Sequence, residues 1–282
     1  MRLKVFLSFL SAVLFVFIAY AYADAFQVKI LPSEIRPGDA FTIKVTGVKT
    51  PETPAAVLNN KQFSFNSCGE RCFIAVGAVE VETKPGIYRI KLHIGEKMMK
   101  LKIAVRRIGF PTLFLTLPED KVSLSPEDMK RVEKEAERLK TIWESASDRL
   151  WEGSFMFPLE NDISTLFGTK RIINRKKVSI HKGTDIRGKE GEEVKASNRG
   201  RVVLAGELFF GGNTVILDHG QGIFTIYMHL SAFNVKPEDI VSKGEVVGFV
   251  GSTGRSSGPH LHFGVKVMEI SANPVSLVKL KL

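Results

Sequence analysis

Five side chains near the C-terminus have the types and spacing needed for metal-dependent hydrolysis. They lie in three short strings, and they are His181, Asp185, His229, His260 and His262. A catalytic zinc ion takes three protein ligands of imidazole or carboxylate type and keeps one position open, where bound water becomes acidic enough to act near neutral pH. Three of these residues could therefore bind zinc while the other two handle protons.

The spacing of these residues suits β-strands. His181 and Asp185 are four residues apart in a string rich in β-branched residues, so a strand would point both to one face. His260 and His262 are two apart, which places them on one face while Leu261 points into a core. Each string alone fits a structural role as well as a site, but their combination favours a metal site.

Further strings of distinctive composition surround these residues, in the order Leu166-Phe-Gly168, His181-Lys-Gly-Thr-Asp-Ile186, Val215-Ile-Leu-Asp-His-Gly220, Tyr227-Met-His-Leu230, the glycine-punctuated stretch 243–254, Gly258-Pro-His-Leu-His-Phe263 and Asn273-Pro274. With these strings, the segment from Phe155 to Leu282 resembles the lysostaphin-type, LytM-like zinc metallopeptidases. The resemblance implies an antiparallel β-sheet peptidase domain that cleaves peptide bonds in bacterial peptidoglycan.

The resemblance also implies a role for each of the five residues. His181 and Asp185 match the family's first two metal ligands, and His262 matches the third. His229 and His260 match the residues that flank the metal as proton handlers or transition-state donors. One zinc ion per chain is therefore expected. Because all the ligand positions are filled, the resemblance favours a catalytic member over the metal-free members that activate other wall hydrolases.

Other titratable residues are expected to lie outside this chemistry. Some family members have a tyrosine before the HxxxD string, but residues 171–180 contain none, so the oxyanion donors stay open. Tyr227 better fits a packed or hydrogen-bonded strand residue than a substitute. His93 and His219, the two remaining histidines, are predicted to be solvated.

The N-terminus resembles an export signal. Residues 1–4 are positively charged, residues 5–19 are almost wholly apolar, and Ala21-Tyr-Ala23 has the form of a signal-peptidase site. We expect residues 1–23 to be a signal peptide cleaved after Ala23, with an uncleaved membrane anchor as the alternative. The protein is then periplasmic or extracellular.

Residues 24–105 read as short alternating strands separated by turn signals. They predict a small Ig-like antiparallel β-sandwich. Cys68 and Cys72 flank a short loop, where a disulfide could close a hairpin tip in an oxidising compartment, with free thiols as the alternative. The predicted strands are Phe26 to Leu31, Phe41 to Val45, Phe73 to Val79, Ile87 to Ile94 and Met98 to Val105.

Residues 106–154 are predicted to form a linker with one amphipathic helix, followed by the peptidase domain at 155–282. Ser125 is a suitable N-cap, Pro126 suits the first helical position, and acidic residues follow in the first turn. An apolar stripe at helical spacing is expected to pack on a domain surface. It comprises Met129, Val132, Ala136, Leu139 and Trp143.

The formal net charge is +10, and it falls to +8 when Arg2 and Lys4 are lost with the signal. Basic residues cluster before His181 on an expected surface loop beside the cleft: Lys170, Arg171, Arg175, Lys176 and Lys177. In an exported protein such a cluster favours anionic wall polymers or a membrane surface over nucleic acid. The simpler interpretation is that it keeps the loop solvated.

The sequence as a whole predicts a mostly β, exported zinc metalloendopeptidase with peptidoglycan as its partner and no nucleic-acid ligand. The alternatives are a non-catalytic activator or binding protein of the same fold, and an extracellular protease acting on glycine-rich proteins. Metal content distinguishes the enzyme from the non-catalytic activator or binding protein, because such a scaffold needs no zinc. The bond cleaved and the oligomeric state do not follow from the sequence.

Overall fold

The computed structural model of the chain describes residues 26–48, 52–116, 124–145, 147–175 and 177–282. The predicted signal peptide at 1–23 lies outside these residues. Within the described ranges, no helix is both long and apolar enough to cross a bilayer.

The N-terminal part forms two packed β-sheets, which confirms the predicted sandwich. One sheet has the order β1-β3-β7-β6 and the other β2-β9-β8-β4-β5, antiparallel except for the β2–β9 pair. The five predicted strands correspond to β1, β3, β7, β8 and β9, while four short strands were missed. The strands are β1 (Gln27–Leu31), β2 (Glu34–Ile35), β3 (Ala40–Thr46), β4 (Ala55–Leu58), β5 (Lys61–Phe63), β6 (Asn66–Gly69), β7 (Cys72–Ala78), β8 (Gly86–Ile94) and β9 (Lys97–Val105).

The core of the sandwich lies between its two sheets. Ile43 of β3 is buried in the same apolar cluster as Ile90 of β8 and Ile103 of β9. Residues alternate between buried and exposed along the second half of β8, as expected for a strand with one face in the core. Cys68 and Cys72 form a disulfide at the β6–β7 hairpin, which confirms that prediction.

The linker contains one strand and one helix, β10 (Thr112–Leu115) and α1 (Pro126–Glu144). Ser125 caps the helix, because its side chain accepts a hydrogen bond from the Asp128 backbone N–H at 3.0 Å. The predicted packing stripe is wrong in its first half, since Met129 and Ala136 are exposed. The apolar contacts are made by the last turns, where Trp143 meets Phe224 edge-on at 5.2 Å between ring centroids.

The C-terminal part is built on an antiparallel sheet, as predicted, and this sheet has ten strands. Its main order is β11-β14-β21-β18-β17-β16-β19, with β15, β20 and β22 joined at its sides. A separate sheet has the order β10-β12-β13, in which the linker strand β10 runs parallel to β12. The elements are β11 (Ile163–Thr165), β12 (Lys170–Ile173), β13 (Lys177–Ile180), β14 (Gly183–Arg187), β15 (Glu193–Lys195), β16 (Gly200–Leu208), β17 (Gly212–Asp218), β18 (Ile223–Phe233), β19 (Ile240–Val241), β20 (Val246–Val250), β21 (His260–Val267), β22 (Ile270–Ala272) and α2 (Pro274–Val278).

The two parts of the chain share one apolar cluster. Ala40, Ile74, Val76 and Ala78 of the sandwich are buried in the same cluster as the C-terminal sheet. Trp151, which precedes the predicted domain boundary at 155, is also buried there.

Polar contacts join the two parts beside this cluster. The Asn273 side chain donates to Asp39 Oδ1 at 2.8 Å, and the Asn273 backbone N–H donates to the Gly38 carbonyl at 2.7 Å. The Ala40 backbone N–H donates to Ser276 Oγ at 2.8 Å. We define Asp39, Ala40, Asn273 and Ser276 as the interdomain joint. The predicted domain boundaries stay a prediction.

Candidate metal centre

Three neighbouring strands in the middle of the large sheet carry most of the predicted site residues. Asp185 lies on β14 directly opposite His262 on β21, and His229 lies on β18, the next strand along. His181 differs from the prediction, because it lies in the short connection between β13 and β14 and not on a strand. Its backbone N–H donates to the Thr169 carbonyl at 2.9 Å, which fixes the connection against the preceding hairpin.

Three atoms that can bind a metal lie close together, and we call His181, Asp185 and His262 the donor cluster. His181 Nε2 lies 2.9 Å from Asp185 Oδ1, and His262 Nδ1 lies 2.8 Å from the same oxygen. The two histidine nitrogens are 3.0 Å apart, and ligand atoms of all three residues lie within 4.8 Å of one another. Two lone pairs at this distance repel unless a proton or cation lies between them. Two imidazoles and a carboxylate fit a catalytic zinc ion.

The surroundings hold these groups in the protonation states that bind a metal. His181 Nδ1 lies 3.0 Å from the Leu166 carbonyl and donates to it, which leaves Nε2 as the lone-pair atom. Burial alone would raise the pKa of Asp185, but its contacts with the His181 and His262 imidazoles outweigh burial and lower that pKa. Burial lowers the pKa of His262. The carboxylate is therefore charged and the His262 imidazole favours its neutral form.

A glycine permits the close approach of the strands at this point. A Cβ atom on Gly183 would lie 2.5 Å from ring atoms of His262 and 2.8 Å from the Phe263 carbonyl oxygen. No side chain fits there without displacing a predicted ligand. The glycine of the HKGTD string is therefore required by packing and not by backbone flexibility.

His229 and His260 lie beside the donor cluster, with ring centroids 4.8 Å apart. His260 Nε2 is 3.9 Å from Asp185 Oδ1, and its Nδ1 lies 2.8 Å from the Gly258 carbonyl. His229 Nδ1 lies 2.8 Å from the Thr253 carbonyl. Each Nδ1 therefore donates to a carbonyl, which leaves each Nε2 able to accept a proton. The structure thus brings all five predicted residues into one site, while their division into ligands and proton handlers stays a prediction.

The backbone at His229 is unusual. Its φ is +66°, a left-handed conformation that a histidine in a strand rarely adopts, and it coincides with a break in the pairing of β18 with its neighbours. Its N–H donates to the Gly211 carbonyl at 2.8 Å. Burial lowers the pKa of His229 to about 4. Strain of this kind persists where the surroundings hold it, often at functional sites.

Sequence reasoning did not identify Arg171 as a site residue. It was expected on a solvated loop, but it lies on β12, and its Nη2 donates to Asp185 Oδ2 at 2.9 Å. Of the other described members of the basic cluster, Lys170 and Lys177 lie on β12 and β13 and Arg175 lies in the turn between them, so these residues form a hairpin. Lys176 lies outside the described residues. The only signal in the sequence was the cluster of charge, which does not show which member points inward.

The prediction that His219 is solvated is wrong. The residue is fully buried, its Nδ1 donates to the Arg199 carbonyl at 2.8 Å, and its Nε2 accepts from the Thr225 hydroxyl at 2.7 Å. The Thr225 hydroxyl also lies 2.8 Å from the Tyr227 hydroxyl, which accepts from the Ser197 backbone N–H at 2.8 Å. Tyr227 is therefore the hydrogen-bonded strand residue that was expected. Burial raises its pKa.

The fold is mostly β, and it carries a largely buried cluster of two histidines and an aspartate with two further histidines beside it. This combination places the chain among the metallopeptidases. Residues 179–274 match the model of peptidase family M23. The chain therefore belongs to family M23.

Individual relatives agree with this assignment. The chain is 45% identical over 98 residues to the DD-carboxypeptidase/endopeptidase Mpg of Neisseria meningitidis serogroup B, a match that covers 35% of this chain and 23% of Mpg. It is 34% identical over 140 residues to the peptidoglycan DD-endopeptidase ShyA of Vibrio cholerae, covering 49% of this chain and 32% of ShyA. The chain thus spans a third or less of the length of these relatives.

One solved structure is similar over nearly the whole described chain. It is a Pseudomonas aeruginosa protein described as a candidate peptidase M23, with a TM-score of 0.68 and 29% sequence identity. The match covers 86% of this chain and 94% of that one, so the similarity includes the N-terminal sheets.

Proposed function

We propose that this chain is an exported zinc metalloendopeptidase that hydrolyses peptide bonds in peptidoglycan stem peptides or cross-links. The observation that carries the proposal is the convergence of ligand atoms of His181, Asp185 and His262 within 4.8 Å. The name of the relative ShyA, a peptidoglycan DD-endopeptidase, supports peptidoglycan as the substrate. The signal-like residues 1–23 support export, and the disulfide is consistent with an oxidising compartment.

The residues of the site divide the chemical work. A zinc ion held by His181, Asp185 and His262 would supply Lewis-acid polarisation of the substrate carbonyl and a lowered pKa of water. His260 Nε2 lies at the edge of the donor cluster, 3.9 Å from Asp185 Oδ1, where it can accept a proton. His229, with its Nδ1 donating to a carbonyl, can accept a proton at Nε2 and return it to the leaving amine.

Removing one ligand tests the proposal. Asp185→Ala should abolish both zinc retention and digestion of purified peptidoglycan, while the unaltered mature chain carries close to one zinc per chain. Asp162→Ala is the matched control, because Asp162 is exposed and outside the donor cluster. Zinc is measured by elemental analysis, and the fragments released from peptidoglycan are identified by mass spectrometry.

Two results would contradict the proposal. Full zinc occupancy in Asp185→Ala would place the metal elsewhere. Binding to peptidoglycan with neither zinc nor released fragments in the unaltered chain would support the alternative of a non-catalytic activator.

A further inference from the structure

Two arginines border the candidate metal centre. Arg171 contacts Asp185, and Arg255 is two residues after Thr253, whose carbonyl accepts from His229 Nδ1. Arg171 is on β12, and Arg255 is in the loop between β20 and β21 that leads to His260. We call Arg171 and Arg255 the arginine pair.

Arg171 is only partly used by its contact with the centre. Its Nη2 donates to Asp185 Oδ2 at 2.9 Å, and this places the guanidinium directly beside the donor cluster. Its Nε is buried and has no hydrogen-bond partner among the described residues. A buried donor left without a partner is costly, so it marks a place where a group from outside the chain would be favoured.

Arg255 is held in place without an acidic partner. Its guanidinium lies 4.2 Å from the centroid of the Phe210 ring, and its backbone N–H donates to the Phe210 carbonyl at 3.0 Å. In the part of the chain that the structure describes, no carboxylate forms an ion pair with Arg255. Arg255 is exposed as a residue, but partial burial of its guanidinium, followed by the positive charge of Arg171, lowers its pKa.

The positive charge of Arg171 acts unfavourably on that of Arg255, and an anion that contacts both guanidiniums would offset this repulsion. A carboxylate suits this position, because the planar guanidinium fork binds its two oxygens together. Peptides offer such a group at a free C-terminus or on an acidic side chain. The contact of Arg171 with Asp185 would place this carboxylate close to the bond being cleaved.

We infer that the arginine pair binds a carboxylate of the substrate and makes the enzyme prefer peptides that carry a free carboxylate near the scissile bond. The inference rests on the proposed function for its substrate class. It assigns Arg255 as a specificity residue, and it assigns Arg171 a double role in positioning Asp185 and contacting substrate.

The test measures binding separately from hydrolysis. Isothermal titration calorimetry is done on the zinc-loaded mature chain carrying His229→Ala, which is expected to bind peptide without cleaving it. Three soluble stem peptides are compared: one with diaminopimelate and a C-terminal carboxylate, one with a C-terminal carboxamide, and one with lysine replacing diaminopimelate. The last two each lack one carboxylate, so the weaker of them identifies the source that the pair recognises.

Loss of the recognised carboxylate should weaken binding about 10- to 100-fold, the range of a hydrogen bond to a charged group. Adding Arg255→Gln should weaken the full peptide similarly and abolish the preference. Arg201→Gln should keep the preference, because Arg201 is an exposed arginine on β16 paired with Glu238.

Equal binding of all three peptides, binding of none, or an unchanged preference in Arg255→Gln would overturn the inference. Hydrolysis by the chain with intact His229 is measured on the same peptides. Cleavage without a carboxylate preference would leave the proposed function standing and refute the inference. A binding preference without cleavage would support the inference and refute the proposed function.

Discussion

The histidines at the centre take their hydrogen-bonding pattern from backbone carbonyls. His181, His229 and His260 each direct Nδ1 at a carbonyl oxygen 2.8 to 3.0 Å away, so each presents Nε2 to the site. A carbonyl cannot donate, so it selects the tautomer with the proton on Nδ1. The site is thus organised by loop backbones as much as by its own side chains.

Removing either flanking histidine should separate proton handling from metal binding. His229→Ala and His260→Ala should each keep zinc and lose about 100-fold or more in the rate of peptidoglycan hydrolysis, because general acid or base groups typically contribute that much. His93→Ala is the control, since His93 is exposed on β8. Zinc loss in His260→Ala would show that the ligand roles of His260 and His262 are reversed. An unchanged rate in either variant would show that the replaced histidine takes no part in hydrolysis.

The buried His219 should make stability depend on pH. Burial lowers its folded-state pKa to about 4, whereas the unfolded chain has an ordinary value near 6.5. As pH falls from about 6.5 to about 4, the unfolded chain takes up a proton that the folded chain does not. Neutral His219 therefore contributes fully to the free energy of unfolding above about pH 6.5. This free energy falls by up to about 3 kcal/mol as the pH drops toward 4.

Urea unfolding with a chelator present, from pH 4 to 7, measures this effect. His219→Asn should be less stable at pH 7 and should lose this part of the pH dependence. Parallel stability curves for the variant and the unaltered chain would show that His219 does not titrate in this way.

The sequence predicted which five side chains meet at the centre, but it did not predict the environments of other polar residues. The five site residues follow from their types and from the resemblance, since the chemistry requires those side chains. The environments of Arg171 and His219 did not follow, because each depends on partners supplied by other strands. A charge cluster or a turn-like string shows polarity but not which way a side chain points.

At the level of elements, the β12–β13 hairpin is the clearest difference from expectation. The sequence predicted a loop, because its basic residues are typical of solvated segments. The strand arises through pairing with β10, a linker strand distant in sequence, and local patterns do not report such a partner. By contrast, the start of α1 was predictable, because Ser125 and Pro126 act on the adjacent turn.

Neutralising three basic residues of this hairpin tests its role on the wall. Lys170→Gln, Arg175→Gln and Lys177→Gln together should weaken cosedimentation with sacculi and barely change the turnover of a short soluble peptide. The effect should fade in high salt, because charges are screened over about 8 Å at physiological ionic strength. Arg171 is left intact because of its contact with Asp185.

A control variant with Gln at Lys91, Lys100 and Lys102, which are exposed on the sandwich, removes the same charge elsewhere. Equal loss on sacculi and soluble peptide in the hairpin variant would place the hairpin inside the catalytic cleft. Equal loss of sedimentation in the control would show that only net charge matters.

At the level of the whole molecule, the shared apolar cluster bears on the independence of the catalytic part. A fragment of residues 147–282 should fold and bind zinc, because it contains the complete large sheet and Trp151. It should melt several degrees below the full mature chain, because it loses the contacts of Ile74 and Val76. A loss of about 1 kcal/mol in the free energy of unfolding lowers the melting temperature by about 4 °C. Calorimetry and zinc analysis check this.

The activity of the same fragment shows what the sandwich does. If the sandwich restrains the enzyme, the fragment should be faster than the full chain on soluble peptides. If it positions the enzyme, the fragment should be slower on sacculi alone. A metal-free or insoluble fragment would show that the sandwich or α1 completes the catalytic core.

The interdomain joint has a consequence for cutting a polymer. Domains tied by a flexible tether sample many separations, but here Asn273 and Ser276 bond to the sandwich beside a shared apolar cluster. If the sandwich binds a glycan strand, that strand would meet the cleft at one fixed offset. Cuts along an ordered wall would fall at a regular spacing from the point of attachment instead of at random.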